Sequence, residues 1–308
     1  MEPLYGRRVV VAGGTGLVGR ALVPALASAG AGVVLLERRP TGFVWPAGVQ
    51  AWPWERAAEA LEGAFGLVNL AGAGIADQRW TEARKALLWD SRILVTRSLV
   101  QTLAGLARRP EVLVNASAIG YYGARGEERL DEEAPAGSGF LPELCRAWEA
   151  EALQATASGM RVVCLRTGPV LAREGGALPR MALPVRWFLG AKAGSGSQVI
   201  SWIHVQDLVH LLATVLGHPN ARGPINATAP VPCSNRIFMQ HLARTLHRPL
   251  WPVPAPATRL ALKFAWGEMA EAMLLSGAHV MPRKALEMGF SFRFPQIEGA
   301  LRDLFPAT

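Results

Sequence analysis

The chain has 308 residues and a formal charge of +8, half of its residues are hydrophobic and 18% are charged. So much apolar material excludes an intrinsically disordered chain, and the length suits one large α/β unit or one unit with an appended lobe. Lys85, Lys192, Lys263 and Lys284 are the only lysines, so the charge is mostly arginine; with no dense basic run and no aromatic-basic motif it argues against a nucleic-acid partner.

A strand over 8–12 opens directly into VVVAGGTGLVGRAL and a helix from 17 to about 29, which places Gly13, Gly16 and Gly19 in GxxGxxG spacing between a buried strand and an apolar-faced helix. Gly13 allows the tight turn, Gly16 lets backbone approach a pyrophosphate, and Gly19 permits close packing of the helix. The free amides of the helix N-terminus meet the negative charge. Gly13, Gly14, Thr15, Gly16, Leu17, Val18 and Gly19 are therefore expected to hold a nicotinamide dinucleotide. The next strand, 32–36, runs into LLERRP, whose tip should face the adenosine ribose. Glu37 there would accept the ribose hydroxyls of NAD(H), whereas Arg38 and Arg39 would pair with the 2′-phosphate of NADP(H). Two arginines can screen one carboxylate, which favours NADP(H) and leaves NAD(H) as the alternative.

Further strands are expected at 49–52, 66–69, 112–117 and 161–166, with helices from the N-cap Thr81 to about 106 and from 141 to about 157. This alternation predicts an α/β fold, a Rossmann-type doubly wound parallel sheet over residues 1–168. After Gly168 come glycine-rich loops, a strand-like SWIHV, a helix over 207–216 and a proline-rich WPVPAPA. Residues 169–308 read as a smaller C-terminal α/β lobe on the substrate side. Strand segments around 199–205 return toward the first domain, and a helical segment begins at about 250.

The segments GGTGLVGRAL, NLAGAGIADQRWTEARK, SASAIGYYG, ELCRAWEAEA, LRTGPVL, SWIHVQDLV and GEMAE…LLSGAHVMPRKALEMGFSFRFP resemble the atypical short-chain dehydrogenase/reductases of the epimerase family, a group similar to bacterial nucleotide-sugar epimerases. The resemblance spans essentially the whole chain. It implies that Asn69, Leu70, Ala71 and Gly72 line the adenosine side of the cofactor, and that Ser117, Tyr122, Arg166, Thr167 and Val170 lie around the nicotinamide. His204 and Asp207 resemble residues that tie the second lobe to the first.

Hydride transfer at a carbinol needs a proton carrier, and the relatives use a tyrosine with a lysine four residues later. Aligning ELCRAWEAEA on its downstream acid puts Glu143 at the tyrosine and Ala147 at the lysine, so the pair is missing. The serine of the relatives falls on Ala118, one position from Ser117. Replacement candidates are Tyr121 or Tyr122 as proton carrier, Ser117 as a hydrogen bonder to substrate oxygen, and Glu143 as a general base. Cys145 and Glu149 share a helix face, with Cys145 read as core filler. Arg79, Trp80, Arg92, Trp202 and His204 are expected on the substrate side, where arginines and tryptophans would clamp and stack an anionic ligand or nucleotide-sugar. Core tryptophans, solvated arginines and a structural histidine are the competing readings.

The expected function is an NADP(H)-dependent epimerase, isomerase or carbonyl oxidoreductase; the alternative is a non-catalytic redox sensor or scaffold that the same cofactor would set. Cys145, Cys164 and Cys233 form no paired or metal-ligand pattern, so neither disulfide nor metal is expected. With no apolar run of spanning length and no export signal, the reading is cytoplasmic with no membrane partner, and the sequons at Asn115 and Asn226 read as chance matches. Two packed long helices would offer a homodimer surface.

Overall fold

The computed structural model of the protein describes residues 4–37 and 43–306. The chain runs β1 (Arg8–Ala12), α1 (Leu17–Ser28), β2 (Gly32–Glu37), β3 (Val49–Pro53), α2 (Ala57–Leu61), β4 (Gly66–Asn69), α3 (Glu82–Ala104), β5 (Val112–Ala118), β6 (Arg129–Leu130), α4 (Phe140–Leu153) and β7 (Arg161–Thr167). It continues through β8 (Val170–Leu171), α5 (Ala177–Arg186), β9 (Val199–Ile200), β10 (Ile203–His204), α6 (Val205–Gly217), β11 (Gly223–Ala227), β12 (Cys233–Ser234) and α7 (Asn235–Thr245). The last elements are α8 (Ala255–Trp266), α9 (Glu268–Met273), β13 (His279–Val280), α10 (Arg283–Glu287) and α11 (Ile297–Leu304).

β1 alternates Val9 and Val11 toward one face with Val10 and Ala12 toward the other, and both faces are buried. That double burial is what a parallel sheet covered on both sides requires. Seven strands pair in parallel in the order β11-β7-β5-β4-β1-β2-β3. Leu22, Val23 and Leu26 of α1 pack with Leu208, Leu211 and Val215 of α6 on one face; Leu99 and Leu103 of α3 join Ala152 of α4 on the other. This is the Rossmann-type doubly wound sheet that the alternation of strands and helices predicts. Strand order reverses at β1, so the crevice beyond the carboxyl ends of β1 and β4 is the natural ligand position.

Two features depart from the sequence reading. β11, with the sequence GPINA, pairs with β7 at the edge of the main sheet, a strand that is not among those expected from the sequence. A separate core of Leu171, Leu178, Trp202, Phe238, Leu242, Phe294 and Leu301 gathers elements from β8 to α11. The strand segment expected around 199–205 is split by Ser201 and Trp202 into β9, which pairs with β12, and β10, which pairs with β8; of SWIHV only Ile203 and His204 are strand. Asn115 and Asn226 are fully buried, out of reach of any glycosyltransferase in the folded chain.

Candidate functional site

Between β1 and α1 the chain turns at Gly13, whose φ is +80° and whose added Cβ would lie 2.7 Å from the Leu70 carbonyl carbon. A Cβ at Gly19 would lie 2.4 Å from the Gly14 carbonyl oxygen, so only glycine lets α1 sit this close to its own loop. The N-cap of α1 is Gly16, with no side-chain cap and no acidic residue in the first turn. The first-turn amides are left for an external anion. Arg20, which sequence reasoning passed over inside the same motif, donates through Nε to the Thr15 carbonyl at 2.8 Å. Leu17 packs beside Gly175 and Gly176, so the segment leading into α5 borders this loop.

Glu37 ends β2, is 9% exposed, and its Oε1 has no hydrogen-bond partner among the described residues. Arg38 and Arg39 lie outside the described residues. Asn69 is wholly buried: its amide donates to Thr96 Oγ1 at 2.9 Å and Asn115 Oδ1 at 2.7 Å, while its oxygen accepts the Ala71 amide at 3.2 Å. Its side chain therefore shapes the Leu70, Ala71 and Gly72 turn from below, whereas sequence reasoning placed it against the cofactor.

At the carboxyl ends of β5 and β7 a charged network is buried beside this crevice. Ser117 Oγ donates to Glu149 Oε1 at 2.6 Å, and Arg166 grips both Glu149 oxygens at 2.8 Å. Burial opposes the Arg166 charge, but the two hydrogen bonds and the Glu149 charge outweigh it and hold the guanidinium above its ordinary pKa. Arg166 also donates to Tyr122 Oη at 3.0 Å, and Tyr122 donates to Asn226 Oδ1 at 2.7 Å. Burial pushes the Tyr122 phenol up to about 12 against the pull of Arg166. Tyr121 differs: its ring stacks on the Arg166 guanidinium, 3.4 Å from Cζ to centroid, and it is only partly buried.

These positions correct several expectations. Tyr122 is fully buried with its phenol already bonded on both sides, so it cannot reach a substrate. Arg166 is committed to Glu149 and has no free edge for a ligand. Glu143 is exposed in a groove with Trp89, Arg146 and Ala147, on the outer face of α4. The face of α4 that meets Ser117 carries Cys145 and Glu149, one turn apart, because those positions turn inward while 143 and 147 turn outward. Cys145 is core filler, its thiol pushed up to about 12 by burial and then by Glu149. Glu149 emerges as a central residue that the sequence marked only by its place one turn from Cys145; its partner on β7 is unreadable without the fold.

Among the expected substrate residues, Trp80 and Arg92 brace the loop that follows β4. Trp80 Nε1 donates to Ile75 O at 2.9 Å and its ring meets Phe140 edge-on at 5.2 Å. Arg92 donates to Ala73 O at 3.0 Å over the Trp148 ring, and burial lowers its pKa. Arg79 is exposed next to Gly267, the residue between α8 and α9. Trp202 is not a stacking surface: it is fully buried in the second core. His204 is also fully buried; it caps α6, its Nδ1 accepting the Gln206 amide at 3.1 Å, with Nε2 3.3 Å from Asp303. Asp207 accepts the Arg293 and Phe294 amides at 2.8 and 2.9 Å, so this pair fastens α6 to the C-terminal segment. Thr167 turns its hydroxyl back to Leu165 O at 3.2 Å, and Val170 opens β8.

Comparison with known proteins matches residues 9–227 to the NAD dependent epimerase/dehydratase family and residues 253–304 to a domain of unknown function, DUF1731. Epimerase family protein Mb2239 of Mycobacterium bovis is 40% identical over 300 residues, covering 95% of this chain and 96% of that one. The chloroplastic epimerase family protein SDR39U1 homolog of Arabidopsis thaliana is 39% identical over 303 residues, covering 96% and 85%. The crystal structure of human epimerase family protein SDR39U1 (isoform2) with NADPH superposes with a TM-score of 0.86 at 33% identity, covering 96% and 98%.

Proposed function

This chain belongs to the NAD dependent epimerase/dehydratase family, and from that premise we propose that it is an NADP(H)-dependent enzyme acting on the carbinol or carbonyl of a polar, anionic small molecule, with Tyr121 as proton carrier. The observation that carries this reading is Tyr121 stacked at 3.4 Å on Arg166, which Glu149 in turn fixes beside Ser117. A phenol against a fixed cation supplies the two components that the relatives combine in a tyrosine and a lysine.

The residues present fit a dinucleotide. The uncapped first turn of α1 suits the pyrophosphate, and the orphaned Glu37 oxygen suits a ribose hydroxyl. Glu37 alone would favour NAD(H); the preference for NADP(H) rests on the charges of Arg20, Arg38 and Arg39 and on the NADPH of the human relative. When bound, the cofactor supplies or accepts the hydride. Ser117 donates its one hydroxyl proton to Glu149 in a hydrogen bond, so Oγ can only accept, and it would orient the substrate by accepting from a neighbouring hydroxyl, leaving the reacting carbinol proton to Tyr121. Tyr121 would move the proton between that oxygen and solvent. Arg79, exposed at the C-terminal lobe, and Arg92, which uses only neutral carbonyls, would attract the anionic part of the substrate.

The test is to follow nicotinamide absorbance with phosphorylated and carboxylated carbonyl compounds, together with NADPH titration. Turnover that falls by about a hundredfold in Tyr121→Phe while NADPH affinity is unchanged supports the proposal. Undiminished turnover in that variant removes Tyr121 from the mechanism, and NADPH binding without turnover on any such compound turns the reading toward a cofactor-set sensor.

A further inference from the structure

α5 ends at Arg186 and the chain continues as Trp187, Phe188 and Leu189, which are 71%, 53% and 72% exposed. Leu183, one helical turn before Trp187, is also exposed. Three consecutive large apolar side chains in solvent are uncommon on a monomeric surface. Phe188 holds a φ of 61°, the left-handed region that a bulky residue occupies only under strain.

The protrusion is braced. Trp251, itself exposed, donates its backbone amide to Gly190 O at 2.8 Å and its indole N–H to Phe188 O at 2.6 Å. Leu189 N donates to Pro184 O at 2.8 Å, and Ala191 forms a parallel bridge with Trp251. Arg248 stacks its guanidinium 4.6 Å from the Phe188 ring centroid and donates to the Arg186 carbonyl, while the Arg186 guanidinium lies 5.4 Å from the Phe305 ring centroid.

Charge points to the occupant. From Gly175 to Gly267 the sequence holds seven arginines and two lysines but one acid, Asp207, which is fully buried. The acids that other elements bring to this segment's basic residues are Asp77 at Arg180, and Glu271 at Arg259 and Lys263. Among the described residues neither Arg186 nor Arg248 has an ion-pair partner. A second copy of the chain docked by its own knob would set those arginines against each other. An anionic bilayer complements them, with the tryptophans and Leu189 entering the boundary between headgroups and acyl chains.

We infer that the knob of Leu183, Trp187, Phe188, Leu189 and Trp251, flanked by Arg186 and Arg248, is a docking site for an anionic phospholipid surface. Among the described residues no helix is long and apolar enough to cross a membrane, so the contact is interfacial. The length of apolar runs, on which the sequence expectation of no membrane partner rested, does not register a surface assembled from the end of α5 and a tryptophan sixty-odd residues later.

The experiment is flotation of the full chain with vesicles of phosphatidylcholine alone and of phosphatidylcholine with an equal part of phosphatidylglycerol. The wild type should float with the anionic vesicles and be released by high salt, and Trp187→Ser with Leu189→Ser should reduce partition by about tenfold or more. Arg186→Gln with Arg248→Gln should do the same while leaving the apolar surface intact. NADPH binding and the melting transition show that each variant is folded. Wild type that stays in the supernatant, or variants that float as the wild type does, overturn the inference. So does self-association that the serine variants abolish without any vesicle binding, which would make the knob a subunit interface.

Discussion

Glu149 is a carboxylate in the interior with a serine on one oxygen and an arginine across both, and its side chain is only 7% exposed. Removing its charge strands the Arg166 guanidinium in the interior, so Glu149→Gln should lower unfolding free energy by about 3–5 kcal/mol in urea titration. Tyr121→Phe, in contrast, removes only a phenol oxygen that makes no hydrogen bond within the described chain. It should cost about a hundredfold in turnover with an unchanged urea midpoint, the signature of a group whose work is in chemistry and not in folding. His204 gives a pH signature. Burial, its largest cause, lowers the ring's pKa below 6.5, so the folded chain stays neutral where the unfolded chain takes up a proton. The unfolded state then binds more protons as pH falls through 6.5, and stability falls with it until the native ring is also protonated. His204→Asn, which keeps a capping acceptor for the Gln206 amide, should flatten that decline in melting temperature between neutral pH and about pH 5.

Elements carry the cofactor argument. The spacing of Gly13, Gly16 and Gly19 was readable because each requirement is local: a turn, an approach and a packing contact within one βα unit. Gly19→Ala should push α1 away from its loop, since a Cβ would sit 2.4 Å from the Gly14 carbonyl oxygen, and NADPH affinity should fall by about tenfold or more in fluorescence titration. Gly299 in α11 provides the contrast, because an added Cβ there meets nothing within 4 Å. Gly299→Ala should raise stability by about 0.5–1 kcal/mol and leave NADPH binding untouched. α4 shows where local reasoning stops. Its span was predicted to within a few residues, yet the face that reaches the strand ends carries Cys145 and Glu149, and alignment on the downstream acid of the same segment had put 143 and 147 there. A one- or two-residue change in register on a helix turns a side chain from the crevice to solvent.

Across the whole molecule, the C-terminal segment is fastened to α6 and to the connection between β9 and β10 by buried polar contacts. Asp207 accepts the amides of Arg293 and Phe294; Ser201 Oγ donates to Ala278 O and accepts the Val280 amide. Asp207→Ala leaves two amides without their acceptor and should cost about 3 kcal/mol in urea titration. The sequence by itself determined the doubly wound sheet, the glycine loop and the helices around it, because periodicity, capping and turn chemistry act over a few residues. It also determined that α4 carries neither a tyrosine nor a lysine, since that is a matter of composition along one helix. Only the tertiary structure decided that Tyr122, Arg166, Trp202 and His204 are interior groups and that Tyr121 lies on a guanidinium. Whether a polar side chain faces a crevice or a core depends on what packs against it from elsewhere in the chain. Arg166 finds Glu149 across 17 residues and Tyr122 finds Asn226 across 104, separations at which no local pattern in the sequence carries a signal.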